Sequence, residues 1–488
     1  MRVMLVAAEA APIAAVGDLA QTVPALAIAL SALGHDVQIV IPHYGQIALP
    51  GDMPVSFSFP LETRAGATFA IAVTELTLAE TADGGHPVTV TLIGNDYFFS
   101  NRPQIYGYHD DAYRFAFFNL AVLHLLQNQK VLPDVLHTHD WHTGLLAAYL
   151  KMTDDSRLSP IANVFTVHEI MYQGNVPSEL LDFAGLGWEV FQPDGLEFHR
   201  QVSLLKSGLV YSDLVATTSE LYAAEIQKAE FGAGLEGLLQ SLHAKICGIT
   251  DGVDDLRHDP GKGVGLPASY TPDDLRGKAV CKAAIQLELG LPVHSEIPIV
   301  LLPARHSDQR SIQLLKGIAG YLQRLEVQLV IYGGKVPEVE ALFSHMPHGP
   351  STYVQVEANP ELVARLWAGA DILLMPPRLK PRTEELRLAL RYGTIPITYG
   401  IEGMDSNLIR RFDTRTGEGS GFLFAPYTPT ELQRTLKLAL DTYDRVSSWN
   451  QLVANSLSLD LSWATAARKY VDYYDKAIAE RQKSAVTD

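Results

Sequence analysis

Cysteine is almost missing from this chain of 488 residues, which contains only Cys247 and Cys281. Two cysteines in such a length form neither a disulfide framework nor a cysteine-rich zinc site. The sequence also lacks any uninterrupted apolar run near the ~18 residues that a membrane-spanning helix needs. Its amino terminus has neither the long apolar core nor the cleavage site of a secretory signal. These absences predict a protein of the reducing cytoplasm that has no membrane partner.

Basic side chains are scarce too, because 38 lysines and arginines stand against 55 aspartates and glutamates, which gives a net charge of −17. A field of this sign repels nucleic acid, so we expect no nucleic-acid partner, and an anionic substrate would need a local basic pocket. Hydrophobic residues, by contrast, make up 47 % of the chain. This composition is typical of globular domains with large cores, and the length predicts two or three of them.

Apolar runs of strand length alternate with helix-like segments along the chain. A run at residues 3–8, a helical stretch at 22–33 and a second run at 37–41 form a β-α-β unit, which implies parallel strands. Further strand-like runs lie at residues 88–93, 135–138, 163–167 and 214–218. Alternation of this kind predicts a doubly wound α/β domain that extends to about residue 250.

A passage rich in glycine, proline and aspartate at residues 251–272 interrupts the alternation, which then resumes. We therefore predict an α/β fold with two Rossmann-like doubly wound domains, over residues 1–250 and 251–460. A final helix, over residues 461–488, is expected to return to the first domain. We expect the two domains to face a cleft, because open α/β sheets bind ligands at the carboxyl ends of their strands.

A dense cluster of polar side chains follows one of the predicted strands: His137, His139, Asp140, Trp141 and His142. Three interpretations are open at this point. The histidines could bind a metal, although no matching cysteine or carboxylate cluster completes a tetrahedral set, so we expect no metal site. The residues could instead hydrogen-bond one another at the strand end. An aspartate, imidazoles and an indole also suit the recognition of sugar hydroxyls.

This cluster is similar to the His-x-His-Asp-Trp-His segment of bacterial glycogen synthases and plant starch synthases. Other segments resemble the same family, in the same order, over almost the whole chain: residues 110–115, 164–168, 172–174, 204–213, 230–237, 277–282, 389–396, 421–424 and 461–463. The resemblance implies a fold of the GT-B type, with an acceptor-side first domain and a nucleotide-sugar-side second domain.

The family transfers glucose from ADP-glucose to the non-reducing end of an α-1,4-glucan, with retention of configuration. The resemblance therefore implies a glucan acceptor and a nucleotide sugar as partners, with no metal and no cofactor besides the ADP-glucose substrate. Negative charge develops on the departing diphosphate in this reaction, so cations or amide groups must meet it. The sugar hydroxyls must also be positioned accurately.

Several residues match the family at positions with a known role. By resemblance, His168 lies beside the transferred sugar, and Asp140 belongs to the acceptor side. Gly17 belongs to the loop that holds phosphate and acceptor. Arg305 aligns with the arginine that meets the diphosphate, while Arg310 stands where the family has lysine, which conserves the charge but not the shape.

Other positions depart from the family, and they concentrate in the implied donor site. Lys380 stands where a catalytic glutamate binds the sugar hydroxyls, and Ala15 replaces the lysine of the Lys-x-Gly-Gly-Leu loop. Asp18 replaces the second glycine of that loop. Thr383 occupies the place of a glycine whose amide approaches phosphate, and Glu385 replaces a threonine nearby. The glutamate-to-lysine exchange alone reverses two units of charge beside the reacting sugar.

These departures leave two hypotheses. In the first, the chain is an active but altered glucosyltransferase that uses ADP-glucose or another nucleotide sugar, and Lys380 and Arg382 are candidates to hold phosphate in place of the lost loop. Alternatively, it is a catalytically silent glucan-binding or regulatory relative that partners an active synthase.

Overall fold

A computed structural model of the protein divides into two compact units. Unit 1 contains Met1–Asp251 and Trp463–Asp488, and unit 2 contains Gly252–Ser462. The structure describes residues 1–17, 19–47, 55–64, 66–78, 85–255, 257–304, 309–334, 336–343, 352–357, 359–375, 383–400 and 408–487.

A nine-stranded sheet forms the centre of unit 1. A small three-stranded sheet is formed by residues between two of its strands. In chain order the strands are β1 (Arg2–Val6), β2 (Asp36–Pro42), β3 (Phe57–Glu62), β4 (Thr68–Thr77), β5 (Thr89–Gly94), β6 (Val135–His139), β7 (Ala162–Val167), β8 (Asn175–Val176), β9 (Glu197–Phe198), β10 (Gln201–Ser203), β11 (Leu214–Thr217) and β12 (Ile246–Gly248). The large sheet has the order β12-β11-β7-β6-β1-β2-β5-β4-β3, and the small one has the order β8-β10-β9.

The strands from β12 to β5 run parallel, as the β-α-β pattern predicts. The strands β6 and β7 are buried along their whole length, which is typical of parallel strands covered by helices on both faces. Beyond β5, the strands β4 and β3 extend the sheet in antiparallel fashion. The sequence did not predict this extension, because β3 lies at the sheet edge and four of its six residues are exposed.

Helices cover the large sheet of unit 1. They are α1 (Leu19–Ala32), α2 (Asp111–Asn128), α3 (Leu145–Met152), α4 (Leu180–Ala184), α5 (Leu204–Tyr211), α6 (Glu220–Glu225) and α7 (Glu236–Ser241). While α6 and α7 contribute Tyr222 and Leu239 to a second, smaller core, residues from α1 to α5 and from the central strands share one apolar core. That core supports the loops at the carboxyl ends of β1, β6 and β7, where the candidate site lies.

Unit 2 has its own six-stranded sheet, in which every pairing is parallel. Its strands are β13 (Ile299–Pro303), β14 (Gln328–Tyr332), β15 (Thr352–Val356), β16 (Ile372–Met375), β17 (Ile395–Tyr399) and β18 (Phe422–Phe424), in the order β15-β14-β13-β16-β17-β18. Its helices are α8 (Arg276–Glu288), α9 (Gln309–Leu322), α10 (Pro337–Phe343), α11 (Pro360–Gly369), α12 (Thr383–Arg391), α13 (Pro429–Tyr443) and α14 (Val446–Leu457).

The last helix, α15 (Trp463–Thr487), follows unit 2 in the chain but packs in unit 1. Tyr470 and Tyr474 are buried in the core of unit 1. The hydroxyl oxygen of Tyr473 lies 2.8 and 2.7 Å from the backbone carbonyl oxygens of Val215 and Lys245, which share its single hydrogen. Across the described ranges, we find no helix that is long and apolar enough to cross a membrane.

Candidate active site

Three neighbouring parallel strands, β1, β6 and β7, deliver polar residues to one edge of the sheet in unit 1. Glu9 follows β1, Asp140 follows β6, and His168 follows β7. In the pairing of β6 with β7, His139 lies opposite Thr166. The carboxyl ends of parallel strands meet at the same edge, so these side chains surround one site, where open α/β sheets bind their ligands.

Asp140 is held in an unusual conformation. Its φ of 57° and ψ of 179° lie in a region that only glycine adopts readily. The carboxylate oxygen Oδ1 accepts the backbone N–H of His168 at 2.7 Å and that of Glu169 at 3.3 Å. The backbone N–H of Asp140 donates to the carbonyl of Thr166 at 2.9 Å. These bonds tie the end of β6 to the end of β7 and offset the conformational strain, which is about 1–3 kcal/mol for such backbone geometry.

His137 is fully buried, and both of its ring nitrogens have protein partners. Nδ1 lies 2.8 Å from the hydroxyl of Tyr474, and Nε2 lies 2.7 Å from the hydroxyl of Thr166. Burial, and next the nearby His168, lowers the pKa of His137 to about 3. A neutral ring with both nitrogens engaged has no lone pair to give to a metal ion. Among the residues described, no group of three or more His, Cys, Asp or Glu side chains could hold a metal ion.

His139 connects His137 to His168. Its ring packs on that of His137 with centroids 4.1 Å apart, and its Nδ1 lies 3.0 Å from Nε2 of His168. Burial, followed by the neighbouring imidazoles, lowers the pKa of His139 well below its ordinary value. The three rings therefore form a column, defined here as His137, His139 and His168, that runs from the core to the strand end.

The structure separates His142 from this column. The ring of His142 packs instead against Trp141, Phe115 and Tyr106, with centroids 4.1, 4.6 and 5.2 Å apart. Burial, and after it the charge of Arg114, lowers the pKa of His142 to about 3. The histidines of the six-residue cluster therefore lie in two different environments: His137 and His139 in the column, and His142 among aromatic side chains.

Gly174 allows the close packing of Trp141. It has a φ of +60°, and a Cβ atom there would lie only 2.4 Å from Cε3 of the indole. The glycine that follows the second strand-end segment therefore has a steric role in placing the indole beside the site.

The loop that contains Gly17 is organised by Glu9, a residue that sequence reasoning did not assign to the site. The Glu9 side chain is buried, and its Oε2 accepts the backbone N–H groups of Val16 and Gly17 at 2.5 and 2.8 Å. The hydroxyl of Tyr106 donates to Oε1 at 2.6 Å. Burial raises the pKa of Tyr106 well above its ordinary value, so this hydroxyl keeps its hydrogen. The signal in the sequence is an acidic residue placed directly after a buried strand.

Two of the candidate donor residues lie at the beginnings of helices in unit 2. Arg310 is exposed as the second residue of α9, and Thr383 is the first residue of α12. The first turn of α12 also carries Glu384 and Glu385. Because a helix N-terminus carries partial positive charge, these carboxylates counteract its attraction for phosphate.

Glu385 has a neighbour in β14. The hydroxyl of Tyr332 lies 3.4 Å from Oε1 of Glu385, and burial and then this carboxylate raise the pKa of Tyr332 well above its ordinary value. The predicted site residues Arg305, Lys380 and Arg382, and the substituted Asp18, lie outside the described residues. Ala15 is exposed in the Gly17 loop.

The structure therefore brings Asp140 and His168 into direct contact and places Gly17 on the same edge of unit 1. This edge offers a fixed carboxylate, imidazoles and an indole, which together suit the recognition and orientation of hydroxyl groups. Arg310 and Thr383 belong to unit 2. The cation near the start of α9 suits an anionic group, whereas the two carboxylates in the first turn of α12 oppose one.

Comparison with known proteins gives consistent matches. Residues 2–241 match the starch synthase catalytic domain family. The chain is 35 % identical to a glycogen synthase of Moorella thermoacetica over 99 % of this chain and 98 % of that protein. It is 34 % identical to a glycogen synthase of Thermotoga petrophila over 98 % and 99 % of the two chains.

Solved structures agree with these matches. The catalytic domain of starch synthase IV from Arabidopsis thaliana, bound to ADP and acarbose, superposes with a TM-score of 0.82 at 27 % identity, and the match covers 98 % of this chain and 99 % of that one. A sucrose-phosphate synthase from Thermosynechococcus elongatus, at 17 % identity and a TM-score of 0.58, shares the fold. Together with the mostly parallel large sheet of unit 1 and the parallel sheet of unit 2, these matches confirm the predicted α/β fold of the GT-B type.

Proposed function

The chain belongs to the family of glycogen synthases and starch synthases, and from this premise we propose that it transfers glucose from ADP-glucose to the non-reducing end of an α-1,4-glucan. The observation that carries the proposal is the contact between the Asp140 carboxylate and the backbone N–H of His168 at the ends of two adjacent strands. This contact orients a carboxylate and an imidazole side by side, which supports the proposal that a glucan hydroxyl and the reacting sugar bind there.

On the acceptor side, we assign Asp140 to the recognition of glucan hydroxyls and His168 to the contact with the transferred glucose. Both groups are oriented before any sugar binds, since two backbone N–H groups fix the carboxylate and the column fixes the imidazole. Preorganisation of this kind lowers the barrier because the groups need not be ordered during the reaction.

On the donor side, we assign Arg305 and Arg310 to the diphosphate, with Gly17 and Thr383 as backbone contacts. The Gly17 amide is already engaged by Glu9, so it reaches phosphate only if that bond opens. Lys380 and Arg382 supply further cations in place of the lysine that Ala15 replaces. We propose that the diphosphate leaves against these cations, without a metal ion or other cofactor, and that transfer is slow because the carboxylate replaced by Lys380 is missing.

Transfer of labelled glucose onto a maltooligosaccharide tests this function, with ADP-glucose and UDP-glucose as alternative donors. We expect label in the lengthened glucan with ADP-glucose, and a loss of about tenfold or more in Asp140→Asn, which keeps the shape but removes the charge. Absence of transfer from every nucleotide sugar tried would contradict the proposal.

One observation favours a second candidate, a catalytically silent glucan-binding partner of an active synthase. The N-terminus of α12, which begins at the candidate donor residue Thr383, carries Glu384 and Glu385 in its first turn. Two carboxylates beside a phosphate position would weaken donor binding by charge repulsion. Calorimetry separates the candidates, because the silent partner would bind maltooligosaccharide and not ADP-glucose.

We also propose the cytoplasm as the compartment. Cys247 and Cys281 both exist as free thiols rather than as a disulfide, which is the state that a reducing compartment maintains.

A further inference from the structure

The contact between His139 and His168 requires a choice of hydrogen position. Nδ1 of His139 and Nε2 of His168 lie 3.0 Å apart, and the ring planes are inclined by 32°. Two imidazole nitrogens at this distance share a single hydrogen, so one ring donates and the other accepts. The direction of this bond decides which nitrogen of His139 carries the hydrogen of that ring, and whether Nε2 of His168 is protonated or bare.

The other nitrogen of His139 indicates the direction. Nε2 of His139 is buried and has no hydrogen-bond partner among the described residues. If His168 donated, the single hydrogen of neutral His139 would sit on Nε2, as a buried N–H group without an acceptor. If His139 donates, the buried Nε2 holds only a lone pair. Buried N–H groups without a partner are rarer in proteins than underused acceptors, so we assign the donor role to His139.

We propose that His139 is a positioning residue, whose Nδ1–H bond fixes Nε2 of His168 as an acceptor, so that the ring hydrogen of His168 lies on Nδ1. The preceding bond from the His168 backbone to Asp140, at 2.7 Å, fixes the main chain of the same residue. Two consecutive residues, the last of β6 and the first after it, thus control the ring and the backbone of His168. This role of His139 rests on the proposed function, which assigns His168 to the transferred sugar.

The rest of the column prevents His139 from turning. The rings of His137 and His139 pack at a centroid distance of 4.1 Å with an inclination of 35°. His137 is itself anchored on both sides, by Tyr474 of α15 and by Thr166 of β7. A rotation of His139 about its side-chain bonds would therefore require His137 and its two partners to move as well.

The hydrogen position is measurable without any activity. In protein labelled with ¹⁵N-histidine, correlation of ring nitrogens with carbon-bound ring protons distinguishes a protonated from a bare nitrogen. We expect His168, assigned by its absence in His168→Asn, to show a bare Nε2 and a protonated Nδ1. A protonated Nε2 on His168 in the unaltered protein would overturn the proposal, whether or not any variant folds.

Two substitutions of His139 sharpen the test. The Nδ2–H group of His139→Asn occupies the place of Nδ1–H, so this variant should keep the His168 pattern, whereas His139→Leu should lose it. His142→Leu is the matched control, because it removes a second buried histidine, which lies just after β6 and packs away from His168. A folded His139→Leu protein with an unchanged His168 pattern would also overturn the proposal.

Transfer assays on the same variants separate this inference from the proposed function. We expect His139→Leu to lower kcat by tenfold or more and His139→Asn to recover most of it, with little change in the KM for glucan. If the unaltered protein transfers no glucose, the proposed function fails. The nitrogen spectra still decide the role of His139 in that case.

Discussion

The hydroxyl of Tyr474 in the last helix lies 2.8 Å from Nδ1 of His137 in β6, although 337 positions separate the two residues. Since Nε2 of His137 contacts Thr166 of β7, the helix α15 is bonded into the base of the histidine column. The column is therefore supported by a segment that follows all of unit 2 in the chain.

Tyr474→Phe tests this support. The change leaves Nδ1 of His137 buried without its partner, which costs about 1–3 kcal/mol of the free energy of unfolding. Urea denaturation followed by tryptophan fluorescence should show a lower midpoint. Tyr172→Phe removes a hydroxyl from an exposed side chain and serves as the control, for which we expect no shift. Equal midpoints for both variants would contradict the anchoring role of Tyr474.

Glu9→Ala tests the organisation of the Gly17 loop. The change removes the acceptor for the backbone N–H groups of Val16 and Gly17, so both amides should exchange hydrogen about tenfold faster or more. Mass spectrometry of peptides from this loop measures the exchange. Glu9→Gln keeps a carbonyl acceptor of the same shape and should retain most of the protection. Unchanged exchange in Glu9→Ala would show that other contacts hold the loop.

Stability should fall as the pH falls below about 6.5. The folded-state pKa of His142, like that of His137, is lowered to about 3, so the unfolded chain binds protons between these values that the folded chain does not. Each of these two histidines lowers the free energy of unfolding by up to about 1.4 kcal/mol for every pH unit between these two values. The free energy levels off below about pH 3.

His142→Gln should reduce the slope of the free energy of unfolding against pH, by up to the contribution of one bound proton, which is about 1.4 kcal/mol per pH unit. Denaturation midpoints at pH 7, 6 and 5 measure the slope. His243→Gln is the control, because this exposed side chain meets water in both states. The expected slope is wrong if the His142 variant and the unaltered protein lose stability in parallel.

Lys380→Glu restores the carboxylate that the family resemblance implies beside the reacting sugar. We expect transfer from ADP-glucose to rise by about tenfold or more, since reversing two units of charge near the reacting sugar is worth several kcal/mol. Lys437→Glu makes the same change in net charge on the exposed surface of α13 and should have no effect. Unchanged transfer in Lys380→Glu would place the defect in the wider donor site, including Ala15 and Asp18.

The contact of Asp140 with His168 follows from what the sequence shows, because both residues come directly after buried apolar runs. Parallel pairing then brings the two strand ends to one edge. The same logic applies to Glu9, which also follows such a run but was not assigned to the site. The role of Glu9 depends on the loop folding back so that the backbone N–H groups of Val16 and Gly17 reach its carboxylate. No local sequence pattern predicts that path of the chain.

The division of the histidine cluster was also beyond the sequence. Spacing along a strand places His137 and His139 on one face, but the position of His142 depends on the turn after β6. That turn is set by the backbone of Asp140, whose positive φ is combined with a ψ of 179°. This conformation is adopted almost only by glycine, so the aspartate in the sequence gives no sign of it.

The path of the chain has a consequence for the order of events during synthesis. Unit 2 is inserted between the body of unit 1 and α15, so a ribosome produces β6 and β7 long before Tyr470 and Tyr474 emerge. Until α15 is synthesised, the apolar surface that it covers in unit 1 stays exposed, and Nδ1 of His137 lacks the hydroxyl of Tyr474. The second unit, whose residues are contiguous, has no such dependence, and it can mature first although its codons are read later.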